Sequence, residues 1–232
     1  MSKSQKDILK GMTAKQKAEH IWEYYKLHII GGVTVLAIVL SFIYSSFINP
    51  PNKSYSSVSF YGGYINEQPL ADVQADLTDR FVPDEMKEHY EIIVTNYAFS
   101  PGDTANAFVG AKFAAELQSQ GLDLLIADEE DFAMMAGEGY LMPLRDYVPE
   151  DILDSLEESQ LFTGGIYVYE SNEPEPTSIV NEDFYGIRLD DTGYLPEMGI
   201  HPNGKIIGLI LNTPRKEASL PIIQYLLGFG MG

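Results

Sequence analysis

Phe113-Ala114-Ala115-Glu116-Leu117-Gln118-Ser119-Gln120-Gly121-Leu122-Asp123-Leu124-Leu125-Ile126-Ala127 sets a helix and a strand back to back. Phe108, Val109, Phe113 and Leu117 recur at helical spacing, and Gly121 stands where a helix commonly ends. Leu124 to Ala127 is a short run without a polar side chain, the pattern of a strand buried on both faces. A helix that feeds such a strand through a few residues is the repeating unit of an α/β sheet with crossover helices.

Upstream the same alternation appears. Ser57-Val58-Ser59-Phe60-Tyr61 has a period of two and stops at Gly62-Gly63, which reads as a strand entering a turn. Leu70, Val73, Leu77 and Phe81 give a helix that ends before Pro83, and Glu91 to Tyr97 is rich in β-branched residues. Ser100-Pro101-Gly102-Asp103-Thr104 then breaks the chain ahead of the next helix. Downstream, an acidic helix carrying Ile152, Leu153 and Leu156 is expected after Pro149, then strands over 166–169, 184–189 and 206–211. A closing helix over 216–227 takes Pro221 near its start, where proline is tolerated. The expected architecture is α/β, with a mainly parallel sheet flanked by helices. In such sheets ligands approach the carboxyl ends of the strands, which puts Tyr61 to Tyr64, Tyr97 to Ser100 and Asp128 to Glu130 on one rim.

Ahead of this domain lies Leu27 to Ile48, twenty-two residues without a charge. As a helix it is about 33 Å long, enough for a hydrocarbon core of about 30 Å. Six lysines and three acids precede it, whereas nine Lys/Arg and 31 Asp/Glu follow. Basic residues are retained on the cytoplasmic side, so the amino terminus is expected inside and the domain outside. Trp22, Tyr24 and Tyr25 suit the inner interface. A cleaved signal peptide is the competing reading, but the run is too long and lacks a small-x-small site. Thr13 and Gln16 match a capping box, so a helix is expected to start there. The segments are therefore 1–26, a basic cytoplasmic stretch with an amphipathic helix; 27–48, the span in the lipid bilayer; 49–56, a linker; and 57–232, the outer domain.

The segment from Ala111 to Ala127 resembles part of the extracellular solute-binding proteins of bacterial importers, in which a helix ending at a small residue precedes an Asp and an apolar strand. Ala136 to Leu144 is similar to that family's "a-x-x-G-x-L-x-P-L" element, and Tyr185-Gly186-Ile187 to its hinge-returning strand, although Arg188 replaces the usual proline. The likeness implies one lobe of the binding-protein fold and recognition of a solute. The chain is short for two lobes, and the second is expected to be missing or reduced to residues 152–179. The opening Ile21-Trp22-Glu23-Tyr24-Tyr25-Lys26-Leu27-His28 resembles small single-span membrane proteins of Gram-positive bacteria.

No cysteine is present, which excludes disulfides, thiolate metal sites and thiol nucleophiles. The formal charge of −19 disfavours nucleic acid. His20, His28, His89 and His201 have no metal-ligand spacing, and neither a phosphate loop nor a nucleophile elbow occurs. No metal, cofactor or catalytic constellation is therefore expected. Asp128-Glu129-Glu130-Asp131 reads as a helix-starting cluster favoured by the helix dipole, because it lacks the ligand pattern of a calcium loop. Tyr61, Tyr64, Tyr97 and Tyr185, with Asp128, are the candidate ligand-binding residues, since aromatic faces at strand ends stack on sugars or apolar solutes. Two functions fit: recognition of a small solute or envelope fragment, or an interaction subunit that docks a membrane or envelope protein.

Overall fold

A computed structural model describes residues 13–44, 52–100, 102–170, 175–189 and 194–229. Two compact units result, Met1–Pro51 and Asn52–Gly232. The first contains one helix, α1 (Ala14–Ile43), started by the expected capping box: Thr13 N donates to Gln16 Oε1 at 3.0 Å, and Gln16 N to Thr13 Oγ1 at 3.4 Å. Its segment Tyr25–Ile43 is long and apolar enough to cross a membrane, and none of the apolar side chains there is buried. Thr34 turns its hydroxyl back to Ile30 O at 2.9 Å, so that polar group is satisfied within the helix. Residues 45–48, the outer end of the expected span, lie outside the described residues.

The second unit is an α/β domain built on seven strands: β1 (Lys53–Gly62), β2 (Tyr90–Ala98), β3 (Leu124–Ala127), β4 (Leu141–Met142), β5 (Leu161–Val168), β6 (Ser178–Arg188) and β7 (Ile206–Ile210). Their order is β2-β1-β3-β7-β6-β5, with β4 also on β7. The helices are α2 (Glu67–Phe81), α3 (Asn106–Gln118), α4 (Glu129–Gly137), α5 (Glu150–Ser155), the short α6 (Tyr194–Glu197) and α7 (Lys216–Leu226). Strand pairing starts at Lys53, whose N–H donates to His89 O at 2.7 Å, earlier than the alternation from Ser57 suggests.

The sheet is mixed, which corrects the expected mainly parallel one. β1, β2 and β3 run parallel, but β7 is antiparallel to β3, β6 to β7 and β5 to β6. A parallel neighbour needs a crossover of a dozen or more residues, and the short connection between β5 and β6 permits only a hairpin. The described residues of 152–179 accordingly form most of α5, a 3-10 turn and the outer part of this hairpin, extending the same sheet rather than building a second lobe.

Alternate residues of the central strands feed two apolar cores, one on each face. Val58, Phe60, Leu124, Ile126, Ile207 and Leu209 pack with Val73 and Leu77 of α2 and Ile222 and Ile223 of α7. Leu125, Ala127, Ile206 and Ile210 pack with Phe113 and Leu117 of α3 and Phe132 of α4. The second face of β1 carries Ser57 and Ser59, and both are buried. Gly186 and Gly208 are paired neighbours under the Phe132 ring, and a Cβ on either would come within 2.5 Å of Phe132 Cζ. That close approach seats α4 on the sheet.

Below the second core, Asp123 is fully buried. It accepts from Ser57 N at 2.7 Å, from Arg215 Nε at 2.8 Å and from the Thr213 hydroxyl, tying the middle of β1 to the starts of β3 and α7. At the free edge, the N–H groups of Ile92 and Val94 donate to Thr78 Oγ1 and Gln74 Oε1 of α2, both at 3.0 Å. The helix thus covers an edge that would otherwise invite another strand.

Candidate functional site

β1 and β3 are neighbours, but the chain leaves them in opposite directions. β1 leads to α2 on the first core face, and β3 leads to α4 on the second. Adjacent strands whose connections diverge leave a crevice at their carboxyl ends, the topological switch point of an α/β sheet. Here the crevice is a cleft of about 350 Å³, at the small end of ligand-pocket sizes, and Tyr64, Asn66, Asp128, His201 and Lys205 are among its lining residues.

Gly62 ends β1 at the floor of this rim with φ 120°, a conformation closed to other residues. A Cβ there would stand 3.2 Å from Asp128 Oδ2, 3.6 Å from Lys205 Nζ and 3.8 Å from Asp131 Oδ2. The bare backbone therefore lies against a charged cluster. Asn96 of β2 fixes the loop that follows, donating to Gly63 O at 3.1 Å and accepting from Ile65 N at 3.0 Å. On the other side, the turn at Gly204 (φ 76°) brings in Lys205, whose N–H donates to Pro202 O.

Lys205 Nζ meets Asp128 Oδ1 at 2.7 Å, and Arg188 Nη2 meets Glu129 Oε2 at 3.1 Å. The Lys205 side chain is 15% exposed whereas that of Asp128 is 58% exposed, so the pair presents carboxylate to the solvent and keeps the ammonium inside. Asp131 has its pKa raised, chiefly by burial and then by the negative charges of Asp128 and Glu130, with Lys205 opposing. The Tyr61 hydroxyl is pushed up as well, by burial and by Asp131. Four acids at the start of α4 make the mouth unwelcoming to anions. Among the described residues no group of three or more His, Asp or Glu is placed to hold a metal ion. The arrangement offers hydrogen-bond acceptors, one inward ammonium and an aromatic face, which suits a hydroxylated or amine-bearing solute.

The structure separates the five candidate residues. Tyr64, 71% exposed, and Asp128 line the cleft together. Tyr61 sits next to it but turns into the second core, with its ring centroid 4.7 Å from Phe99 and 4.9 Å from Phe113. Tyr97 and Tyr185 are corrections: both are buried and neither lines the cleft. The Tyr97 hydroxyl donates to Glu116 of α3, with its pKa raised chiefly by burial, and Tyr185 donates to Asn181 O at 3.1 Å. The pleat points both rings into the second core, where a polar tip needs a partner and has one. Sequence reasoning missed Asn96, His201 and Lys205. The Gly204-Lys205 turn ahead of an apolar run is the one local signal for Lys205, and none marks Asn96.

No family model, curated protein or solved structure matches this chain. The likeness to solute-binding proteins rests on the sequence motifs alone. One of those motifs has a structural explanation, since the Asp ahead of the apolar strand is Asp123, the buried clamp described above.

Proposed function

We propose that this protein is a single-pass membrane-anchored recognition domain, cytoplasmic at its amino terminus and extracellular from β1 onward, which binds a small polar solute or envelope fragment without catalysis. The observation that carries this reading is the open cleft at the β1–β3 switch point, where the Gly62 backbone is pressed on the Asp128–Lys205 pair beside the exposed ring of Tyr64. A hydroxylated ring stacked on Tyr64 would place its hydroxyls within reach of Asp128, Asn66 and His201. Anchoring is supported by α1, whose apolar side chains are exposed along Tyr25–Ile43; such a helix needs an apolar surrounding. The β2-β1-β3 order with crossover helices on both faces suits a single solute-binding lobe that has lost its partner lobe.

A thermal-shift screen of the full chain in detergent against sugars, oligosaccharides, amino acids and amines tests this. A ligand at one hundred times its dissociation constant adds about 2.7 kcal/mol to the folded state. A saturable shift lost in Tyr64→Ala and Asp128→Asn supports the reading, and silence across the library overturns it.

The interaction-subunit reading draws on a different feature. The β5–β6 hairpin reaches past the β6–β7 pairing and exposes Val168, Tyr169, Ile179 and Val180. Crosslinking from Ile179 in intact membranes that captures one defined protein, with no ligand found, would favour it.

A further inference from the structure

We propose that the solute taken by the β1–β3 cleft is a small zwitterion with the charges of a free amino acid, its ammonium toward Asp128 and its carboxylate toward Lys205; this rests on the recognition reading above. Among the described lining residues Asp128 is the one acid and Lys205 the one Lys or Arg, and they are paired with each other. A lone cation brought there meets Lys205 as well as Asp128, and a lone anion meets Asp128 as well as Lys205. A molecule bearing both signs lies head to tail along the pair and is attracted at both ends. An α-amino acid separates its charges by about the length of a charge-assisted hydrogen bond, which is also the 2.7 Å between Lys205 Nζ and Asp128 Oδ1.

Neither partner is spent in the pair. Asp128 occupies the N-cap position of α4 yet makes no side-chain hydrogen bond to that helix; its Oδ1 takes Lys205, and its Oδ2 has no donor among the described residues. The Lys205 ammonium carries three N–H donors, of which Asp128 takes one. On the same lining Asn66 is the N-cap of α2, again without a side-chain cap bond, so its amide is open to a ligand. The exposed ring of Tyr64 and the apolar Ile65 beside it give a surface for the ligand's side chain. Outside the lining, Glu129, Glu130 and Asp131 in the first turn of α4 set a negative field that turns away carboxylates lacking an ammonium. At about 350 Å³ the cleft is sized for such a molecule rather than for an oligosaccharide.

Isothermal titration calorimetry on the full chain in detergent tests this with the common amino acids, their methyl esters, which keep only the ammonium, and their N-acetyl forms, which keep only the carboxylate. At least one amino acid should bind saturably, with each of its derivatives about tenfold or more weaker. Lys205→Met should weaken that amino acid about tenfold and bind its methyl ester more tightly than the parent does, because Asp128 is then an unpaired carboxylate. Asp128→Asn should shift preference the other way, toward the N-acetyl form. Near-ultraviolet circular dichroism checks that each variant is folded, and one folded variant suffices. Sugars or simple amines that bind where no amino acid does would overturn the zwitterion and leave the recognition reading standing, whereas silence toward every compound overturns both. Equal binding of an amino acid and its ester, or amino acid binding unchanged in the folded variants, would also overturn the proposal.

Discussion

Replacing Arg215 by Met removes the cation from a carboxylate that has nowhere else to go. Asp123 is fully buried, and the Arg215 side chain is 23% exposed. Breaking a buried pair by deleting one partner costs about 3–5 kcal/mol, because the other charge is stranded. Two facts place the expected loss at the lower end. Ser57 N and the Thr213 hydroxyl still donate to Asp123, and the space left by a side chain already partly exposed lets water approach. We expect about 3 kcal/mol, or a fall in melting temperature of about 6–12 °C for a domain of this size. Asp123→Asn alone should also destabilise, since its amide turns a donor toward Arg215 or Ser57. In the double variant no charge is stranded, so the loss should undershoot the sum of the singles by about 2 kcal/mol. The assay is urea unfolding of the full chain in detergent, followed by near-ultraviolet circular dichroism of the tyrosines; Trp22, the single tryptophan, lies in α1 and does not report on the domain. A loss below about 1 kcal/mol for Arg215→Met, or additivity in the double variant, would refute the idea that the pair is a coupled clamp.

Gly62→Ala forces an L-residue to φ 120° and sets its methyl against Asp128; it should cost about 1–3 kcal/mol and abolish any ligand-induced thermal shift. Gly208→Ala drives a methyl into the Phe132 ring and should cost about 1–3 kcal/mol in the same urea assay; stability equal to the parent would show that α4 is not seated by that contact. Asp131, whose pKa is raised in the folded state, binds its proton more tightly folded than unfolded. Its contribution is fully present below the ordinary carboxylate pKa and lost as pH rises through the raised value, so Asp131→Asn should flatten the stability profile just above that range; an unchanged profile would contradict the assignment.

Much of the chain was legible because its periodicities are local. The capping box at Thr13, the helix ending at Phe81 and the buried run Leu124–Ala127 each follow from residues adjacent in sequence. Strand direction was not legible: nothing in Ile206–Ile210 tells whether an apolar run lies parallel or antiparallel to Leu124–Ala127, since both are buried on both faces. The site was half legible for a similar reason. Placing tyrosines near strand ends ignored which side of the pleat each takes, so Tyr97 and Tyr185 went to the rim on paper and to the second core in the structure. Lys205 reaches Asp128 across 77 residues of sequence, a distance at which no short pattern speaks.

The position of β3 bears on how the chain acquires its structure as it is made. β3 gains β1 as soon as it emerges, but its other edge waits for β7, with Leu124 opposite Leu209 and Ile126 opposite Ile207. For the length of that interval a nascent chain carries four apolar residues with unpaired backbone groups, the kind of surface on which partly folded molecules associate. Pairing so distant in sequence is slow to form, so the closing step of folding is the arrival of the β6–β7 segment. A chain truncated ahead of Ile206 should therefore hold the three-stranded parallel portion and aggregate through it.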